Sequence, residues 1–184
     1  LGYLVSALVS LLLYFAIPER IQAYISWTFG SFGGVTWEQM PILAGGISVG
    51  LVLALVLTKS LNALLLGEGY ARSMGMNIRM VRLVVVIATA LLAGTVTAFC
   101  GPIGFIGIAV PHLCRSLFNT SDHRLLVPGT ILMGGLVALV AALIAEVPGM
   151  DIALPLNAVT ALIGAPVLIV VILRQRNLQQ SFGG

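Results

Sequence analysis

Charged residues are scarce in this chain. Asp, Glu, Lys and Arg make up 8 % of its 184 residues, against about 25 % in an ordinary soluble domain. With 59 % hydrophobic residues and a mean hydropathy of +1.11, it reads as an integral membrane protein with almost no room for a soluble domain. Cysteine is nearly missing too. Cys100 and Cys114 stand alone in apolar runs, so they offer neither a disulfide framework nor close metal-ligand spacing and read as small packing residues. There is no HExxH or other paired ligand motif, so no metal site is expected, and no Ser–His–Asp grouping with credible geometry. The glycines lack the GK[ST] ending of a phosphate-binding loop, so any ATP chemistry must come from another chain. No basic patch with interleaved aromatics points to nucleic acid. Every charge falls near the end of an apolar segment, which leaves no intramembrane ionisable pair for a proton relay. An initial Met is also absent: Leu1 starts inside an apolar run without the basic flank of a signal peptide. The chain is therefore expected to be a fragment whose true beginning is missing.

What is present is a series of apolar segments of the length a helix needs to cross about 30 Å of hydrocarbon. The first span is placed at Leu1–Pro18 and the second at Met40–Thr58, ended by Lys59. Between them Glu19–Gln39 carries Tyr24, Trp27, Phe29, Phe32 and Trp37, an aromatic density that suits the membrane–water boundary. From Leu83 to Cys114 there is no Asp, Glu, Lys or Arg. As one helix that run would measure about 48 Å, too long for one crossing. It must turn, and GPIG at Gly101–Gly104 is the corner, giving a third span Ile78–Cys100 and a fourth Ile103–Phe118. Gly101, Gly104 and Gly107 recur every third residue, a smooth strip that another helix can approach. Pro111 should kink the fourth span by removing a backbone donor. Asn119–Arg124 is a polar loop, Leu125–Ala145 the fifth span and Glu146–Asp151 the next turn. The sixth span, Ile152–Leu173, contains Pro155 and Pro166.

The stretch around which the rest is arranged is Leu61–Met76, LNALLLGEGYARSMGM. Glu68 and Arg72 stand four apart, so on a helix they pair on one face in the order the helix dipole favours. Gly75 is a candidate left-handed C-terminal cap, and Asn77 a cap for the next helix. A helix of about two turns bounded by glycines either closes a loop at the interface or presses into a groove on another protein. On its side lie Lys59, Arg72, Arg79, Arg82, Arg115, Arg124, Arg174 and Arg176, with Arg20 alone opposite. Positive charge gathers on the cytoplasmic face, so this stretch and both ends of the chain are expected there. His112, beside Pro111, either bonds a carbonyl freed by the proline or contacts a ligand; His123 with Asp122 reads as helix-start chemistry.

Four stretches together carry a resemblance: ALLLGEGYARSMGMNIRMVRL, GPIGFIGIAVPHLCRSL, DHRLLVPG and LPLNAVTALIGAPVLIVVILRQR. In content, order and spacing they resemble the transmembrane permeases of ABC importers for iron–siderophores, haem and cobalamin, over nearly all of Leu61–Arg176. The resemblance implies an all-α polytopic bundle: six spans matching helices five to ten of a ten-helix permease, hence one permease domain, 1–184, without its N-terminal half. It implies a dimer with a second permease copy or close paralogue, cytoplasmic ATPase subunits that use the ATP, an extracytoplasmic binding protein that delivers the ligand, a bacterial cytoplasmic membrane location, and no cofactor bound by the chain itself. ATPase coupling falls to residues 61–76, namely Gly67, Glu68, Ala71, Arg72 and Gly75. Helix packing and the pathway fall to Gly101, Gly104, Gly107, Pro111 and Pro166. The Ala23–Gly34 stretch resembles a short external helix near the pathway mouth.

The chain departs from that pattern at the last external turn. Many relatives carry Asp and Arg before it and Glu directly before the Leu-Pro pair; here Ala142, Glu146 and Ala153 occupy those positions. A docking charge for the binding protein is then expected from elsewhere in the assembly, or from a partner with matching charges. The competing class is a self-contained secondary transporter or channel, which would need an ionisable pair inside a span or a polar pore strip; a non-transporting scaffold is a third.

Overall fold

The structure, a computed structural model, describes residues 2–146, 154–162 and 164–165. Described in chain order are α1 (Gly2–Tyr14), α2 (Pro18–Phe29), α3 (Met40–Leu65), α4 (Glu68–Ser73), α5 (Ile78–Cys100), α6 (Gly104–Phe118) and α7 (His123–Ala145). Residues 156–162 are helical as well. Three of these helices, α3, α5 and α7, are long and apolar enough to cross a membrane. This is an all-helical membrane protein.

Helix boundaries follow local chemistry, and several differ from the spans expected of the sequence. Pro18 does not end the first span; it opens α2, where its fixed φ suits the first turn and its missing N–H costs nothing. That leaves α1 with 13 residues, about 20 Å. Nor does Lys59 end the second span. α3 runs 26 residues to Leu65, about 39 Å, more than the hydrocarbon needs. The lysine marks where the apolar slab can end, whereas the helix continues until Gly67, with φ +104°, breaks its hydrogen-bond ladder. α5 has the expected bounds. α6 is shorter than a full crossing at 15 residues, because Gly101 (φ +81°) and extended Ile103 delay its start. Asn119, left-handed at φ 46°, closes it. α7 begins at His123, two residues before the expected start, because Asp122 caps it. Of the sixth span, Pro166 and Ala153 lie outside the described residues.

Close helix contacts run through glycines. α3 packs on α5 at Gly46 and Gly50, where an added Cβ would come within 2.7 Å of Thr95 Oγ1 and 2.5 Å of Leu92 Cγ. α6 packs on α7 around Val110, Cys114 and Leu126, with Ile106, Met133 and Val137 against them. Cys114 is a buried packing residue, as its apolar context implies. A second cluster, Ala141, Ala145, Leu156 and Val159, joins α7 to residues 156–162. α3 also meets α7, and residues of α3, α5, α6 and α7 line a half-open cavity of about 300 Å³.

Candidate functional site

α4 is held between the ends of α3 and α5. Gly67 supplies the positive φ that turns the chain out of α3, and Gly75 (φ +80°) the one that turns it towards α5. At the latter the Met76 amide donates to the Ala71 carbonyl at 3.1 Å and the Gly75 amide to Arg72 at 2.9 Å. That is the Schellman arrangement, which satisfies carbonyls a short helix would otherwise leave bare. Asn77 then starts α5, its Oδ1 accepting the Met80 amide at 3.2 Å.

The side chains of α4 divide cleanly. Ala71 is 0 % exposed and seats the helix on the bundle, whereas Tyr70 at 52 % and Met74 at 63 % face outward. Leu65 and Leu66 are exposed beside them. Glu68 does pair with Arg72, at 3.8 Å, but its closer partner is Arg82 on α5. Arg82 went unread in the sequence because it lies fourteen residues away, across the turn.

Next to α4, the end of α3 is tied to the start of α7. Asn62 Nδ2 donates to Asp122 Oδ1, and Asn62 Oδ1 accepts the His123 amide at 2.8 Å and faces His123 Nδ1 at 2.9 Å. Asp122 Oδ1 also accepts the Arg124 amide at 2.8 Å. That backbone donor first, then the Asn62 amide, holds the Asp122 carboxyl below the usual range, because both favour its charged form. Asp122 and His123 thus do form the helix start expected of them; Asn62 is the residue the sequence did not reveal.

At the opposite end of the bundle the glycine strip splits. Gly101 is packed so tightly that a Cβ would collide with the Trp27 carbonyl oxygen. Gly104 and Gly107 have nothing within 4 Å of where a Cβ would stand, so among the described residues no helix lies on them. Pro111 is inside α6 and lines the 300 Å³ cavity with Leu51, Leu92, Arg115 and His123. The bond expected between His112 and a freed carbonyl is not formed: its Nδ1 is buried without a partner among the described residues. The ring opens instead on a cleft lined by Gly107, Ile108, Pro111 and Arg115. Asn157, also unread in the sequence, donates to the carbonyls of Thr28 at 3.0 Å and Pro102. It thereby binds the end of α2, the GPIG corner and the last described helix into one unit.

Comparison with known proteins bears on this arrangement as a whole. The FecCD transport family matches residues 1–174. The vitamin B12 import system permease protein BtuC of Salmonella typhi is 38 % identical over 174 residues, which is 95 % of this chain and 53 % of that protein. BtuC of Citrobacter koseri is 38 % identical over 176 residues, again 53 % of its length. Among solved structures, a metal-chelate type ABC transporter in an inward-facing conformation superposes with a TM-score of 0.85 at 32 % identity. The superposition takes in 93 % of this chain and 55 % of that one. The chain spans about half the length of the curated relatives it matches.

Proposed function

Since this chain belongs to the FecCD transport family, we propose that it forms the part corresponding to helices five to ten of a permease subunit in an ATP-driven importer. The cargo class is a metal chelate such as an iron–siderophore, haem or cobalamin, moved into the cytoplasm. The observation that carries this reading is the likeness to a metal-chelate type ABC transporter over 93 % of the chain; the BtuC relatives favour the same cargo class. Residues 1–184 act as one permease domain, paired with a second permease copy. The assembly sits in the bacterial cytoplasmic membrane with an extracytoplasmic binding protein on one side and ATPase subunits on the other. ATP hydrolysis belongs to those ATPase subunits.

The mechanism is mechanical. Among the described residues, Lys59, Arg72, Arg79, Arg82, Arg115 and Arg124 lie towards the α4 end of their helices and only Arg20 lies apart, which makes that side cytoplasmic. An ATPase docked on Tyr70 and Met74 displaces α4 when it closes on ATP. Gly67 and Gly75 fix where α4 begins and ends, and buried Ala71 seats it on α3 and α5. Glu68 transmits the push to α5 through Arg82, with Arg72 as a second, looser partner. Gly104, Gly107 and Pro111, together with Pro166, are the packing and pathway positions; open Gly104 and Gly107 leave room for a close approach by another part of the assembly.

The test is a cross-link to the ATPase subunit from Tyr70→Cys or Met74→Cys in the assembled transporter, with Cys100→Ala and Cys114→Ala removing the native thiols. Buried Ala71 is the wrong position for such a probe. A specific cross-link whose yield changes with nucleotide is expected. With the ATPase present and folded, no cross-link in any nucleotide state overturns the docking. Uptake should also stop when ATP is depleted while the proton gradient is preserved; uptake that persists would favour a secondary transporter.

A further inference from the structure

We propose that Asn62 is a positioning residue that makes the end of α3 and the start of α7 move as one body, so that displacement of α4 reaches the central cavity. This rests on the reading of α4 as the ATPase seat. Asn62 lies in the part of α3 that continues beyond Lys59, within a turn of Leu65, where the helix ends. Both ends of its amide are engaged. A backbone N–H can only donate, so the His123 amide fixes Asn62 Oδ1 on that side. The His123 ring nitrogen facing the same oxygen must then carry its proton. Nδ2 is left pointing at Asp122, an acceptor when ionised. Turning the amide over would set donor against donor and oxygen against carboxylate, so the network has one orientation.

One side chain of α3 therefore grips both the main chain and the cap of α7, across 60 residues of sequence. α4 joins the bundle in two ways, by an ion pair and by the chain itself through Gly67. The first leads through Glu68 and Arg82 to α5; the second leads through the end of α3 and Asn62 to α7. His123, which Asn62 holds, also lines the 300 Å³ cavity between α3, α5, α6 and α7. Whether α3 and α7 move together thus decides whether that cavity changes shape when α4 moves.

The experiment uses the assembled transporter in the Cys100→Ala, Cys114→Ala background, with Thr130→Cys in the cavity lining as the reporter. Its maleimide labelling rate is compared without nucleotide and with ATP plus vanadate. The parent should show a nucleotide-dependent rate. Asn62→Asp sets two carboxylates face to face and should bring the ratio of rates close to one. The coupling lost is roughly tenfold, the factor that breaking one hydrogen bond to a charged group corresponds to. Asn62→Asp with Asp122→Asn removes the repulsion and lets the new amide at position 122 donate to the new carboxylate at position 62. This comes at the expense of the bond that the Arg124 amide makes to the same oxygen of Asp122, and should restore the response in part. A residue needed only for folding would not be rescued by that exchange. If Asn62→Asp keeps the response, or the exchanged pair is assembled but fails to regain any of it, the proposal is overturned while the docking of α4 stands. If the Tyr70→Cys cross-link never forms, the docking itself fails and the proposal falls with it.

Discussion

The two ends of the bundle are fastened by different chemistry. Among the described residues, every tie at the Gly101 end has main chain on at least one side, met by other main chain or by the side chains of Trp27 and Asn157. The Ser31 amide donates to Cys100 at 2.9 Å, the Leu156 amide to Gly30 at 3.3 Å, and Trp27 Nε1 to Thr97 at 3.1 Å. At the α4 end every tie between helices runs through a polar side chain: Asn62 to Asp122 and to the His123 ring and amide, and Glu68 to Arg82. Backbone contacts have no rotamers to exchange and need glycine where two chains touch. Side-chain ties in contact with water can break and re-form at small cost, since exposed ion pairs are worth about 1 kcal/mol or less. The first end suits a fixed frame, the second a part that moves.

Three tests probe that contrast, from the largest expected effect to the smallest. Gly101→Ala forces a Cβ into the Trp27 carbonyl at a φ of +81°. The left-handed backbone alone costs about 1–2 kcal/mol, and the overlap with main chain cannot relax by a rotamer change. A total above about 3 kcal/mol is expected, seen as a large drop in the unfolding temperature of the purified protein. Gly104→Ala, with open space around it, should stay within about 0.5 kcal/mol. Equal effects at the two glycines would break the contrast.

Asn157→Leu comes next. It strips the half-buried Thr28 and Pro102 carbonyls of their donor, and losing such a hydrogen bond costs about 0.5–1.5 kcal/mol. A moderate loss of thermal stability, without change in helix content by circular dichroism, is the expected result. No loss would mean that the backbone bonds hold this end without Asn157.

The smallest effect concerns acid. Asp122 has a lowered folded-state pKa, so it binds its proton more readily when unfolded. Its contribution is fully present above the ordinary carboxylate value of about 3.9 and is lost as pH falls through the lower folded value. Thermal unfolding followed from neutral pH downward should lose stability at that acid limb in the parent and less steeply in Asp122→Asn. Identical acid limbs would show that the Asp122 charge, held first by the Arg124 amide and then by Asn62, contributes nothing to stability.

Local chemistry was readable without a fold. The Gly75 termination, the Asn77 cap and the Asp122–His123 helix start depend on residues within a few positions of one another, and all three occur as their sequence implies. The Gly46–Gly50 spacing was an available signal for a close helix contact; its partner, α5, was not. Lys59 misled because charge marks the edge of the hydrocarbon, while hydrogen bonding and Gly67 set the end of the helix. Ala71 is expected among the residues that couple to the ATPase; packing puts it at the buried seat of α4, turned away from the outward face.

The sequence by itself determined the class of protein, the apolar stretches that become α3, α5 and α7, and the local stops and starts at Gly75, Asn77 and Asp122. Hydropathy, capping and backbone φ are all properties of short windows. Only the tertiary structure decided that Glu68 reaches Arg82, that Asn62 grips the start of α7, and that Asn157 closes the far end. Those ties join residues that are remote in the chain, and no local pattern of donors and acceptors says which distant group will meet them.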